Sequence, residues 1–318
     1  DDEILQQALD QTMKKYPLFQ AVLRKGLFWF YLERRDIHAT VKQEKRPPCS
    51  SLYIPDKKSL LFQVSYHNNR MNFEVFHGLT DGTGAMNFLE ELVQNYLILA
   101  HPETELPRVE HEEEITPGDQ EEDSFSQYYS SEIPRNKEKK PAAVKLKGEK
   151  LVHSDMDITE VILNVKETLA KARSYGVSIT ILLTAMLLCS IQEEIPRNRQ
   201  KKPVTLMIPV NLRNYFPSQS MGNFFGWIEV GYVFEEDTSF EEVLSSVKQQ
   251  FQEQLQKDRI AMNMNGYVRI EKNPFVRAVP LEIKKFFLMA GANLGSRSIT
   301  AVYSNIGIIR LPEEYKEY

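Results

Sequence analysis

His77 has the residue type and the surroundings best suited to chemistry in this chain. The segment His77-Gly-Leu-Thr-Asp81-Gly82 lies where an apolar, strand-like run ends and a helical pattern begins. An imidazole at such a boundary is expected to be partly dry, which favours the neutral form and leaves a nitrogen able to accept a proton near neutral pH. That is what a general base requires. The same residues have a purely structural reading, with His77 as a strand-end histidine and Asp81 as the N-cap of the next helix. The other histidines, His38, His67, His101, His111 and His153, fall into no metal-ligand spacing, so no bound metal is expected. Cys49 and Cys189 form no C-x-x-C pair, and Cys189 lies in an apolar stretch where a thiolate is disfavoured. There is no Gly-x-Ser-x-Gly elbow either, so direct attack without a covalent enzyme intermediate is the simpler expectation.

Two later segments carry polar groups at strand ends. In Ile208-Pro-Val-Asn-Leu-Arg213, followed by Gly222-Asn223, the arginine by itself reads as an exposed loop residue. Asn223 either turns the backbone or faces a ligand channel. In Tyr303-Ser-Asn-Ile-Gly307, Ser304 and Asn305 suit a turn cap, and the Ser304 hydroxyl also suits donation to a developing oxyanion.

The elements that must position these residues follow from periodicity. Ile4, Leu5, Ala8, Leu9 and Met13 make an opening helix that Pro17 ends, and residues 26–33 are aromatic and apolar enough for a strand. Residues 59–67 and 70–77 are strand-like runs joined by Asn68-Asn69, a pair that tolerates a tight left-handed turn. Their alternation places Leu60, Phe62, Val64 and Tyr66 on one face with Met71, Phe73, Val75 and His77. Residues 85–99 make a helical stripe. From 102 to 150 the chain turns polar, with acidic runs at 110–114 and 121–123 and a basic run at 136–140, and reads as a linker. Beyond it a strand is expected over 151–165, helices over 166–174 and from Ser178, strands at 204–210 and 225–234, helices over 239–258 and 280–289, and a strand at 299–303. Gly176 suits the stop between the first two of these helices. The domain division expected is 1–145 and 146–318.

Bulk properties narrow the function. A composition of 42% hydrophobic and 26% charged residues fits an ordinary folded protein, and a formal charge of -5 lacks the basic excess that nucleic-acid binding needs. The apolar run 179–191 is shorter than the roughly 20 residues needed to span a bilayer, so no membrane span is expected. The scarce cysteines fit a cytoplasmic setting. The chain opens directly into a helical pattern and ends on what reads as the start of a further segment, so a fragment is expected.

The segment from His77 to Gly82 resembles the HxxxDG signature of the CoA-dependent acyltransferase superfamily. That superfamily includes chloramphenicol acetyltransferases, condensation domains, wax ester synthases and plant BAHD acyltransferases. The resemblance implies two chloramphenicol-acetyltransferase-like α/β subdomains with mixed sheets meeting at a central cleft. It implies that His77 takes the proton from an acceptor hydroxyl or amine as the acceptor attacks a thioester, and that Asp81 turns away from substrate to pair with an arginine, here Arg213. Breaking that pair would cost roughly 3–5 kcal/mol if fully desolvated. Gly82 and Asn223 fall on motif or channel positions, and Ser304-Asn305 resembles the Ser-Asn segment of wax ester synthases. Condensation domains usually carry a second histidine where this chain has Phe76, which favours a simpler acyl-CoA enzyme resembling the alcohol acetyltransferases. Phe224-Phe-Gly-Trp227 is only superficially like the BAHD DFGWG motif and reads as a strand of core aromatics. The resemblance implies acyl-CoA, with acetyl-CoA foremost, as co-substrate rather than a bound cofactor, and a small alcohol or amine as acceptor. Its alternatives are an acyl carrier protein as donor, or a non-catalytic descendant that binds a ligand or partner.

Overall fold

A computed structural model describes residues 1–55, 57–108, 118, 122–136, 138–148, 151, 156–196, 201–309 and 312–317. Glu110–Glu114, Glu121, Lys137, His111 and His153, on which parts of the sequence reading fell, lie outside the described residues.

Two hydrophobic cores organise the fold. The first begins with helix α1 (Asp2–Lys15), which Asp1 caps and whose Leu5, Ala8, Leu9 and Met13 face inward. A hairpin follows, β1 (Ala21–Lys25) with β2 (Phe30–Arg34), where one strand was expected over 26–33. The physical reason is the turn between them: the Gly26 N–H reaches the Trp29 carbonyl, and a Cβ on Gly26 would lie 2.8 Å from that oxygen. Leu27 projects into solvent at the tip.

The short strand β3 (Lys42–Gln43) runs parallel to β4 (Phe62–His67), which pairs antiparallel with β5 (Arg70–Val75). The hairpin read from Asn68-Asn69 is present, with Asn68 at φ 51° and Val64 opposite Phe73. Helix α2 (Gly82–Ala100) lies against this sheet, its Phe88 ring stacked on Phe73 at 5.0 Å and on Phe19 at 4.2 Å. Helices α1 and α2 close the core from one side.

After the single turn α3 (Ser124–Gln127), the second core is built on β6 (Val204–Asn211). It pairs antiparallel with β7 (Phe225–Tyr232) and parallel with the short β8 (Ala301–Val302), so both three-stranded sheets are mixed. Helices α4 (Val165–Ser174) and α5 (Ile179–Glu193) are divided at Gly176, φ 65°, and Ser178 caps the second, as the sequence indicates. The amphipathic run over 239–258 is not one helix: α6 (Phe240–Gln254) ends and α7 (Lys257–Glu271) starts anew. The break at Leu255-Gln256 lets α7 bury Ile260, Met264 and Val268. Then come α8 (Pro274–Ala278) and α9 (Leu281–Gly295). The strand expected over 151–165 does not form in the described part: 156–164 is irregular, with Val161 and Ile162 exposed. β-branched residues favour a strand only when a partner supplies the ladder, and none pairs here among the described residues.

A residue of the second half enters the first core. Met221, from the loop joining β6 to β7, is 2% exposed and packs within the first core. That loop therefore pins the second half of the chain against the strand end where His77 sits.

Candidate active site

Strand β5 stops at Val75, and its pairing ends with the Phe76 N–H donating to the Leu61 carbonyl. His77 thus stands in the turn beyond the strand and not on the strand face where alternation placed it. Its ring is exposed, whereas a partly dry environment was expected. Gly78 is fitted closely after it, since a Cβ there would meet the Phe76 ring at 2.4 Å. The turn delivers the chain to Asp81, which caps α2 by accepting from the N–H groups of Thr83 (3.1 Å) and Gly84 (3.2 Å).

Two bonds tie His77 to Asn223. The Asn223 Nδ2 group donates to the His77 carbonyl at 2.7 Å, and its Oδ1 lies 3.1 Å from His77 Nδ1. An amide has only one accepting end. With Nδ2 committed to a carbonyl, Oδ1 must be the atom facing the ring, so Nδ1 carries the hydrogen. The lone pair is left on Nε2, the tautomer a general base needs. The Phe225 ring flanks the imidazole, centroids 5.2 Å apart.

Beneath the histidine, Asp81 does both of the things the sequence allowed. One carboxylate oxygen caps the helix, and the other accepts from Arg213 Nη1 at 2.7 Å and from the Phe224 N–H at 2.8 Å. The two side chains are 5% and 12% exposed, so the ion pair is shielded from water. Arg213 in turn donates to the carbonyls of Ser220 (2.7 Å) and Gly222 (2.8 Å), shaping the loop that presents Met221 and Asn223. The join is completed by Thr80 Oγ1 donating to the Met221 carbonyl (2.5 Å) and by Asn211 Nδ2 donating to Thr83 Oγ1 (3.0 Å). Asp81 and Arg213 thus fix the two segments that carry His77 and Asn223.

A cavity of about 440 Å³ opens beside this cluster, lined by Gly78, Leu79 and Asn223 and by Arg34, Glu122 and Ser124. It lies in a size range suited to small ligands. The other residues named from sequence sit differently. Gly82 is exposed, and a Cβ on it would meet nothing within 4 Å. Ser304 is exposed, and among the described residues no hydrogen bond joins it to the His77 turn. Asn305 caps Gly307 through Oδ1 and donates to Thr180 of α5 at 2.9 Å. Burial, with Glu193 adding, raises the Cys189 thiol above its ordinary range, which disfavours it as a nucleophile. Among the described residues no cluster of three His, Cys, Asp or Glu could hold a metal ion, and no single helix is long and apolar enough to cross a membrane.

Sequence reading paired Asp81 with Arg213 but missed that Asn223 holds His77, and it missed Thr80, Asn211 and Phe225 as part of the site. No spacing signal marks a contact between residues 146 positions apart, although Asn223 was already singled out by its Gly-Asn pair.

Comparison with known proteins places this geometry in context. Residues 156–314, half of the chain, match the family described as Phthiocerol/phthiodiolone dimycocerosyl transferase C-terminus. Among solved structures, polyketide synthase associated protein 5 from Mycobacterium tuberculosis is similar at 14% identity and a TM-score of 0.58, over 98% of this chain and 76% of that one. TRI101 from F. sporotrichioides, solved with coenzyme A and T-2, is similar at 12% identity and a TM-score of 0.55, over 87% and 71%. The epimerization domain from the third module of tyrocidine synthetase B is similar at 14% identity and a TM-score of 0.52, over 83% of this chain and 66% of that one. No curated protein matches the chain by sequence. These likenesses show a shared two-subdomain α/β fold.

Proposed function

Because the chain belongs to the phthiocerol/phthiodiolone dimycocerosyl transferase C-terminus family, and with it to the CoA-dependent acyltransferase superfamily, we propose that it moves an acyl group from acyl-CoA to a hydroxyl or amine on a small-molecule acceptor. In this reading His77 is the general base. Its Nε2 takes the acceptor proton as the acceptor oxygen or nitrogen attacks the thioester carbonyl carbon. The tetrahedral oxyanion collapses, the C–S bond breaks, and the departing thiolate takes the proton back from the imidazolium. Free CoA thiol and an ester or amide result, and His77 returns to its starting form. Ser304 is the proposed donor to the oxyanion, a role resting on the Ser-Asn resemblance.

The observation that carries this reading is the pair of bonds from Asn223 to His77, which hold an exposed imidazole with Nε2 as its accepting nitrogen. The cavity beside Asn223 supports a small acceptor. The bound coenzyme A of TRI101, a protein of the same fold, supports CoA as the donor, and acetyl-CoA is the first donor to test. The proposed setting is cytoplasmic, which two unpaired cysteines support.

The test is acceptor-dependent thiol release from acetyl-CoA and longer acyl-CoAs across a panel of alcohols and amines. Release with at least one pair is the expected result. Transfer only from carrier-protein thioesters would overturn the CoA donor while keeping acyl transfer. No transfer from either donor would leave a ligand-binding descendant of the fold.

A further inference from the structure

A second cavity, of about 660 Å³, lies in the first half of the chain, between residues 37–46, residues 51–54 and 59–60, and strand β4. It shares no lining residue with the His77 cluster or with the cavity beside Asn223. Its apolar side is aliphatic: Ile37, Ile54 and Leu60, with Leu9 of α1 and Phe62 held in the core below. Its polar side is cationic. Lys42, Lys45 and Arg46 line it and are exposed, and among the described lining residues there is no carboxylate. His38, also at the rim, faces Asp10 at 3.7 Å, and Arg46 donates to Gln63 at 3.0 Å. Lys42 and Lys45 make no ion pair among the described residues.

The charge at this cavity is opposite to that of the chain. Its three exposed lining cations, Lys42, Lys45 and Arg46, sit in a protein of net charge -5. Like charges gathered around one concavity repel one another and persist at less cost when an anion joins them. The aliphatic side offers an alkyl chain a place out of water, and no exposed aromatic face is present to stack a planar base.

We propose that this cavity is a binding site for a single anionic amphiphile, an alkyl chain bearing a phosphate or carboxylate head. The head meets Lys42, Lys45 and Arg46, and the chain lies along Ile37, Ile54 and Leu60. The site is separate from acyl transfer and does not depend on it.

Isothermal titration with monomeric dodecyl phosphate tests the proposal, beside dodecanol and inorganic phosphate. Saturable binding to one site is expected, with each half-molecule weaker by about tenfold or more. Lys42→Glu with Arg46→Glu, both at exposed positions, should weaken the alkyl phosphate by about tenfold or more, while His77→Ala leaves it unchanged. Co-sedimentation with phosphatidylcholine vesicles containing phosphatidic acid distinguishes a bilayer source from a free amphiphile, and either supports the site if the charge reversals abolish it. Absence of binding, binding indifferent to the reversals, inorganic phosphate binding as tightly as the amphiphile, or loss of binding in His77→Ala would each overturn it.

Discussion

A carboxylate as buried as Asp81 must have every lone pair answered, because an unpaired charge out of water is costly. It receives two helix N–H groups, a third backbone N–H and a guanidinium. This separates its two readings by experiment. If Asp81 were only a helix cap, Asn would replace it almost without loss, since the two are nearly equal at that position. An asparagine, however, would turn its Nδ2 donor toward Arg213 and the Phe224 N–H, or lose the cap. Asp81→Asn is therefore expected to cost about 3 kcal/mol by urea unfolding, close to the loss on removing one member of a buried pair. A loss near zero would leave the cap reading alone. Residue type made the cap role of Asp81 visible in the sequence, and the family resemblance implied its pairing with Arg213. They did not reveal the exposure of His77, because exposure depends on where β5 stops and what packs above the turn.

At the scale of elements, the N-terminus of α2 and the loop joining β6 to β7 approach so closely that one position tolerates no side chain. That position is Gly84: a Cβ there would lie 2.1 Å from Thr80 Oγ1 and 2.5 Å from the Met221 carbonyl oxygen. Met221 is anchored in the first core, so the backbone has little room to retreat. Gly84→Ala should destabilise by about 1–3 kcal/mol, as overpacking does, whereas Gly82→Ala should be tolerated or slightly stabilising, because its Cβ points into open space. Paired thermal melts of the two variants check this. The sequence drew the eye to Gly82 as the glycine of the motif, since close approach of two distant backbones leaves no local trace. Where the pattern was local, as in the Asn68-Asn69 hairpin or the Gly176 stop, the elements were legible. Where a strand needed a distant partner, as over 151–165, propensity misled.

Among the described residues the halves of the chain meet at several places, two of which bury a charge. One is the Asp81–Arg213 join beneath His77. The other sets α9 against the β1–β2 hairpin, where Lys284 is buried, donates to the Phe28 carbonyl at 3.0 Å and stands 3.3 Å over the Trp29 ring. Burial, with Arg277 adding, lowers the Lys284 pKa below its ordinary 10.5. Between the lowered value and 10.5 the unfolded chain binds more protons at this site than the folded one, so its contribution to stability rises with pH. Lys284→Met should flatten that rise relative to the parent protein, read from melting temperatures across alkaline pH. An identical pH dependence in both would show that this contact is not what titrates. The proposed role of His77 as the base of an acyl transfer is checked by His77→Ala under conditions where the parent releases CoA thiol. The expected result is a kcat lower by about 100-fold, the usual size for a lost general base, with an unchanged unfolding midpoint because the ring is exposed. An unchanged kcat in a folded variant would contradict it.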